Sequence, residues 1–176
     1  MTQTQTIGNN SYNNTQIMYI NQPTLVYAVA FELLKCVRDF VFSEEDISLK
    51  YPANFSKKLK FNNCKKYISI FKDSVEKYIV VDKILKKGEL IKSEKVVRNI
   101  ISIFRDKANL DNEGNPVIGD GDDYLDQMFE ELKGRITRDP RYLESKFDDV
   151  DVEDFINALL QYGVMECQIL LNPNVN

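Results

Sequence analysis

Between Thr24 and Ile169 apolar residues recur every three or four positions, in stretches parted by Gly, Pro, Asn and Asp. A helix gathers such positions onto one face, so the pattern predicts amphipathic helices with their stripes turned to a shared core. In TLVYAVAFELLKCVRDFVF the stripe is Leu25, Val29, Leu33, Cys36, Val37 and Phe40, a helix over 23–41 with Pro23 in its first turn, where a missing N–H is no loss. Ser43 followed by Glu44, Glu45 and Asp46 reads as the cap and acidic first turn of a short helix, and residues 50–54 as a loop. Leu59, Cys64, Tyr67, Ile68, Phe71, Val75, Tyr78, Ile79, Asp82 and Leu85 predict one long helix over 57–87, bent at Asn62-Asn63 and stopped by Gly88.

Ser93 caps the next helix, striped by Val97, Ile100, Ile101 and Phe104 and running to about Ala108. NLDNEGNPVIGDGDDY holds three Gly and one Pro and reads as a loop. Asp122 or Asp123 then caps a helix carrying Leu125, Met128, Phe129, Leu132 and Ile136, which Pro140 ends. Asp151, with Glu153 and Asp154 in the first turn, opens a last helix whose inner face is Val152, Phe155, Ile156, Leu159, Leu160, Val164 and Cys167. The expected class is all-α: a single bundle of about five helices over residues 23–173, preceded by residues 1–22 as a short β-strand or a disordered polar tail.

Residues 1–22 contain no acidic or basic side chain. Thr15 to Ile20 alternate as a short strand does, and Ile7 and Ile17 each sit among amides. Asn and Gln stack in ladders where identical strands meet in register, so Ile7, Asn14, Gln16, Ile17 and Tyr19 are candidate self-association residues of a homo-oligomer. The bland alternative is a solvated polar tail.

Composition narrows the chemistry. At 176 residues, 43% hydrophobic and 28% charged, the chain suits one folded core. No apolar run is long enough for a membrane helix and no secretory signal opens the chain, so a cytoplasmic protein is expected. There is no histidine, and the three cysteines, Cys36, Cys64 and Cys167, are far apart. That removes Ser-His and Cys-His nucleophiles and zinc sites of the usual ligands. No glycine-rich phosphate loop or nucleophile elbow occurs, so no enzyme, catalytic residue, cofactor or metal is expected. Charge is uneven: residues 1–105 carry 17 Lys and Arg against 10 Asp and Glu, residues 106–176 carry 6 against 17. Such a split suits either a partner-binding face or packing of one half on the other.

Three patches invite a chemical reading. The acidic loop from Asp111 to Asp123 lacks the glycine of a calcium loop where the spacing requires it. Asp139 with Glu144 and Lys146 has the residue types of a metal-dependent nuclease, in a connection where solvated charge is the plainer account. Lys57, Lys58, Lys60, Lys65 and Lys66, interleaved with Phe55, Phe61 and Tyr67, have the composition of a nucleic-acid contact, against which a net charge of −4 argues.

Four segments, KKLKFNN, SEKVVRNIISIF, DYLDQMFEELKGRI and DFINALLQYGVMECQILLNP, together resemble the C-terminal helical domain of proteins of bacterial ABC-three-component systems. Within it, Lys58-Leu59-Lys60-Phe61-Asn62-Asn63 and Glu166-Cys167-Gln168-Ile169-Leu170-Leu171-Asn172-Pro173 are similar to the opening and closing motifs of that domain. The resemblance implies a defence or conflict module, with other protein components, an ABC-type ATPase among them, as partners. It implies an adaptor here, without the effector domain commonly fused ahead of the helices.

Overall fold

The computed structural model describes residues 24–40, 53–87, 93–166 and 169–173. Here the helical periodicity becomes seven helices: α1 (Thr24–Arg38), α2 (Ala53–Phe61), α3 (Lys66–Asp73), α4 (Val75–Lys87), α5 (Ser93–Lys107), α6 (Gly121–Thr137) and α7 (Asp149–Glu166). The protein is all-α in its described part, where the one β pairing is an isolated bridge from Leu110 to Pro116. The predicted strand at 15–20, the short helix after Ser43 and Cys167 lie outside the described residues.

The single helix expected over 57–87 is three. Asn63 takes a left-handed backbone, φ 60°, which Asn tolerates better than most residues, and the Cys64 N–H turns back to the Leu59 carbonyl. At Ser74 both the N–H and the hydroxyl donate to the Ile70 carbonyl, at 3.0 and 2.6 Å, closing α3 before α4 begins one residue on. The apolar period runs through both breaks, because Leu59, Tyr67, Phe71, Tyr78 and Leu85 are all buried in one cluster.

Caps also move. Asp120, not Asp122 or Asp123, caps α6, its Oδ1 accepting from the N–H groups of both at 3.1 and 3.2 Å. Asp122 instead caps α3, which follows a lysine and has no capping side chain of its own. Its carboxylate accepts from the N–H groups of Lys65, Lys66 and Tyr67 at 2.8, 2.8 and 3.2 Å. A neighbouring helix thereby satisfies three donors that a helix start leaves unmatched. α7 begins at Asp149, with the Asp148 carboxylate accepting from the Asp151 N–H at 2.8 Å.

Ten of the eighteen residues of α7 are buried, among them Ala158, Gln161, Tyr162 and Gly163 off the predicted stripe. A helix apolar on most sides is a central one, and α7 packs on α1, α3, α4, α5 and α6. One hydrophobic cluster joins all seven helices with Ile169 and Leu170 of the C-terminal stretch.

Candidate functional site

The lysines of the predicted basic patch lie on α2 and at the start of α3. Two of them are engaged within the molecule: the Lys58 ammonium donates to the Val164 carbonyl at 2.8 Å, and Lys66 pairs with Asp126 at 2.6 Å. The rings between them are divided, since Phe55 and Tyr67 are buried and Phe61 is exposed. Burial, helped by Asp126, pushes the Tyr67 hydroxyl well above the ordinary phenol range, so it stays a neutral donor to that carboxylate. Part of the charge split along the chain is therefore spent internally, lysine-rich α2–α3 lying against acidic α6.

Asp139, Glu144 and Lys146 do not converge. Asp139 is buried and held by Arg141, whose guanidinium contacts it at 2.7 and 2.9 Å and also contacts Glu32 of α1. Arg141 lies over the Phe31 ring at 4.5 Å, and Arg38 lies over Phe147 at 4.6 Å while reaching the Ser145 carbonyl. These contacts clasp the α6–α7 connection to α1, whereas Glu144 and Lys146 face solvent. The hydrogen bond from Arg141 holds the Asp139 carboxyl below its ordinary range, burial opposing. A depressed folded-state value stabilises above the unfolded value, about 3.9, and the contribution is lost as pH falls through the folded one. Asp139→Asn is expected to lower unfolding free energy by about 1–2 kcal/mol at pH 7, the gap from the parent closing below about pH 4, as urea titrations at the two pH values will read.

A groove of about 430 Å³ runs between α1 and α4, lined by Glu32, Lys35, Cys36, Asp39, Phe40, Ile84 and Lys87. Burial, then the nearby Glu32 and Asp39, raise the Cys36 thiol above its ordinary range, and burial pushes Cys64 up to about 12. A protonated thiol is a poor nucleophile. Iodoacetamide at pH 8, read by peptide mass mapping, is expected to modify Cys36 more slowly than an unstructured cysteine and Cys64 only on unfolding. Rapid labelling of Cys36 would show an activated thiol instead. Among the described residues no acidic or thiol groups are assembled to hold a metal ion, and no helix is long and apolar enough to cross a membrane.

The candidate self-association residues Ile7, Asn14, Gln16, Ile17 and Tyr19 lie outside the described residues. What the structure assembles in the described part is an ordered, partly apolar surface at the end where α2 meets α6. The Asn63 side chain donates to the Gly119 carbonyl at 2.9 Å, and the Gly121 N–H donates to the Asn62 carbonyl at 2.8 Å. A Cβ on Gly121 would come within 2.3 Å of that carbonyl oxygen and 2.4 Å of the Cys64 sulfur, so the approach requires glycine. Ahead of Gly119 the chain forms a tight hairpin: Val117 N–H donates to Asn109, Asp111 N–H to Asn115, and the Asp111 carboxylate accepts from the Glu113 and Asn115 N–H groups. Those bonds, that from the Asn115 N–H leading, hold the Asp111 carboxyl below its ordinary range. Gly114 supplies the left-handed residue at φ 83°. The Tyr124 hydroxyl accepts from the Asn109 N–H at 3.2 Å and anchors the base.

This braced segment displays apolar side chains: Leu110 is 51% exposed, Ile118 47% and Val117 36%, while Phe61 at the end of α2 is 39% exposed. In the sequence the stretch reads as an acidic loop, where these side chains do not stand out. The available signal was Leu110 and Val117-Ile118 standing among Gly, Pro and Asp with no helical stripe to join.

The two motifs that carry the family resemblance meet in space. The Asn62 side chain donates to the Leu171 carbonyl at 2.8 Å and accepts from the Leu171 N–H at 2.9 Å, and Lys58 reaches Val164. In comparison with known proteins the chain matches no family model, no curated protein and no solved structure.

Proposed function

We propose that this protein is a non-enzymatic interaction component that associates with itself and with other protein components, acting as an adaptor in the cytoplasm of a bacterium, in a defence or conflict system built around an ABC-type ATPase. The observation that carries the reading is the exposure of Leu110, Val117 and Ile118 on a hydrogen-bonded hairpin. Apolar groups held out to solvent on hydrogen-bonded backbone mark a contact surface more than a linker. The absence of histidine and the internal use of Asp139 and Lys58 favour binding over catalysis. The contact between KLKFNN and the ILLNP ending supports reading the two motifs as parts of one unit.

The test is the mass of the full chain by light scattering behind a sizing column, alone and mixed with an ABC-type ATPase from the same organism. A defined oligomer that co-elutes with the ATPase in 0.5 M salt, about five times the ionic strength at which surface charges are already screened beyond roughly 10 Å, is expected. A monomer that ignores the ATPase, and instead binds a labelled duplex with an affinity that collapses in salt and on Lys57→Glu with Lys60→Glu, would establish the nucleic-acid-binding regulator in its place.

A further inference from the structure

Along α6 nearly every carboxylate is engaged inside the molecule. Asp122 caps α3, Asp123 accepts from the Gln127 side chain at 2.8 Å, Asp126 accepts from Lys66 and Tyr67, and Glu131 accepts from Arg135 at 2.8 Å. Glu130 is the exception: it is exposed and has no hydrogen bond or ion pair among the described residues. Lys133, nearly one turn on, donates instead to Glu153 of α7 at 2.8 Å.

Glu130 lines a groove of about 370 Å³ where α3, α6 and α7 meet. Its apolar walls are Ile70 of α3 and Phe129 of α6, both half-buried and packed on the core. Asn157 of α7 lines it too, also half-buried, and its carboxamide has no hydrogen bond among the described residues. The Lys66–Asp126 pair forms another side, and because those two charges cancel, the groove keeps the charge of Glu130.

A free carboxylate takes a cation, an aliphatic and aromatic pair takes an apolar stem, and a carboxamide, donor and acceptor at once, matches a peptide unit. Arginine in a peptide chain carries all three. Its guanidinium binds a carboxylate through two parallel N–H groups, is weakly hydrated and lies favourably on an aromatic ring, which a lysine ammonium does less well. The surrounding charge has the matching sign, residues 106–176 carrying 17 Asp and Glu against 6 Lys and Arg. We propose that this groove receives an arginine-bearing segment of a protein partner, with the guanidinium on Glu130, the stem against Ile70 and Phe129, and the backbone amide on Asn157. The inference rests on the adaptor reading above and names the chemistry of the partner.

The probe is an alanine peptide with one central arginine, capped at both ends, titrated into the isotope-labelled full chain and followed by NMR. It is expected to shift the Asn157 side-chain amide and the backbone amides of Phe129 and Glu130, with a dissociation constant on the order of a millimolar. Glu130→Gln and Asn157→Ala are each expected to weaken binding at least about fivefold at an unchanged thermal midpoint, because neither side chain makes an internal hydrogen bond. Citrulline in place of the arginine keeps the shape without the charge and is expected to bind as weakly. Glu131→Gln, which removes a carboxylate already engaged by Arg135, is expected to leave binding within about twofold of the parent.

No shift at these resonances, or binding that survives Glu130→Gln, Asn157→Ala or citrulline, overturns the groove as an arginine site. Equal weakening by Glu131→Gln and Glu130→Gln overturns it as well, since diffuse negative charge would then be enough. A chain that ignores the peptide yet co-elutes with the ATPase in salt overturns the groove alone and keeps the adaptor reading. A chain that binds neither overturns both.

Discussion

Asn62→Ala is expected to lower the unfolding free energy by about 2–4 kcal/mol and to release the C-terminal stretch before the bundle unfolds. The side chain is 3% exposed and serves three backbone groups: it donates to the Lys58 and Leu171 carbonyls and accepts from the Leu171 N–H. Alanine leaves the two Leu171 groups without their side-chain partner. Each buried polar group left unsatisfied costs about 1–3 kcal/mol, and the loss of one pair of bonds also loosens what they hold. What they hold is Ile169 and Leu170, at 0% and 4% exposure, with Leu170 in a left-handed backbone at φ 62° that needs external support. Asn62→Asp is expected to do no better, since a carboxylate sets an acceptor against two carbonyl acceptors. Urea unfolding gives the global change, and hydrogen exchange at the Leu171 amide gives the local one. An unchanged exchange rate there would mean that the stretch is held by packing alone.

Phe155→Ala is expected to cost about 3–5 kcal/mol. Phe155 lies in the first half of α7 at 1% exposure, in the helix that packs on α1, α3, α4, α5 and α6. Removing the ring forfeits its transfer from water and leaves a void that Val152, Ile156 and Leu159 on the same helix are poorly placed to fill, each being buried already. Leu143→Ala, by contrast, is expected to change stability by under about 0.5 kcal/mol, because that side chain is 87% exposed. Guanidinium unfolding of the pair separates the two cases. A loss under about 1 kcal/mol for Phe155→Ala would show that α7 is not the centre of the core.

The basic patch shows how a linear reading and a folded one diverge. Lys57, Lys58, Lys60, Lys65 and Lys66 form one group by spacing, and the fold places them on α2 and at the start of α3. Yet it sends the Lys58 ammonium to a carbonyl of α7 and the Lys66 ammonium to a carboxylate of α6, partners 106 and 60 residues away along the chain. Asp139, Glu144 and Lys146 form a similar case. Their spacing suggested a carboxylate site, and the distant Glu32 helps Arg141 fix Asp139 in a structural clasp.

The sequence by itself determined the helical class and most of the inner stripes, since Leu33, Leu59, Ile100, Leu125, Met128, Leu132, Phe155 and Leu159 are buried where their spacing put them. It did so because helical periodicity is a local property: the residues that share a face are three and four apart, whatever they later meet. The absence of histidine likewise excluded whole classes of chemistry without reference to any fold. Only the tertiary structure decided what each exposed or polar group does. The split of 57–87 into three helices is stabilised by Asp122 from another helix, the centrality of α7 by five neighbours, and the meeting of Asn62 with Leu171 by a chain path of 109 residues. The placement of Leu110, Val117 and Ile118 on a braced hairpin depends on Tyr124 and Asn63 in the same way. A hydrogen bond or a desolvated contact has a range of a few ångströms, so its partners are fixed only when the chain has brought distant residues that close.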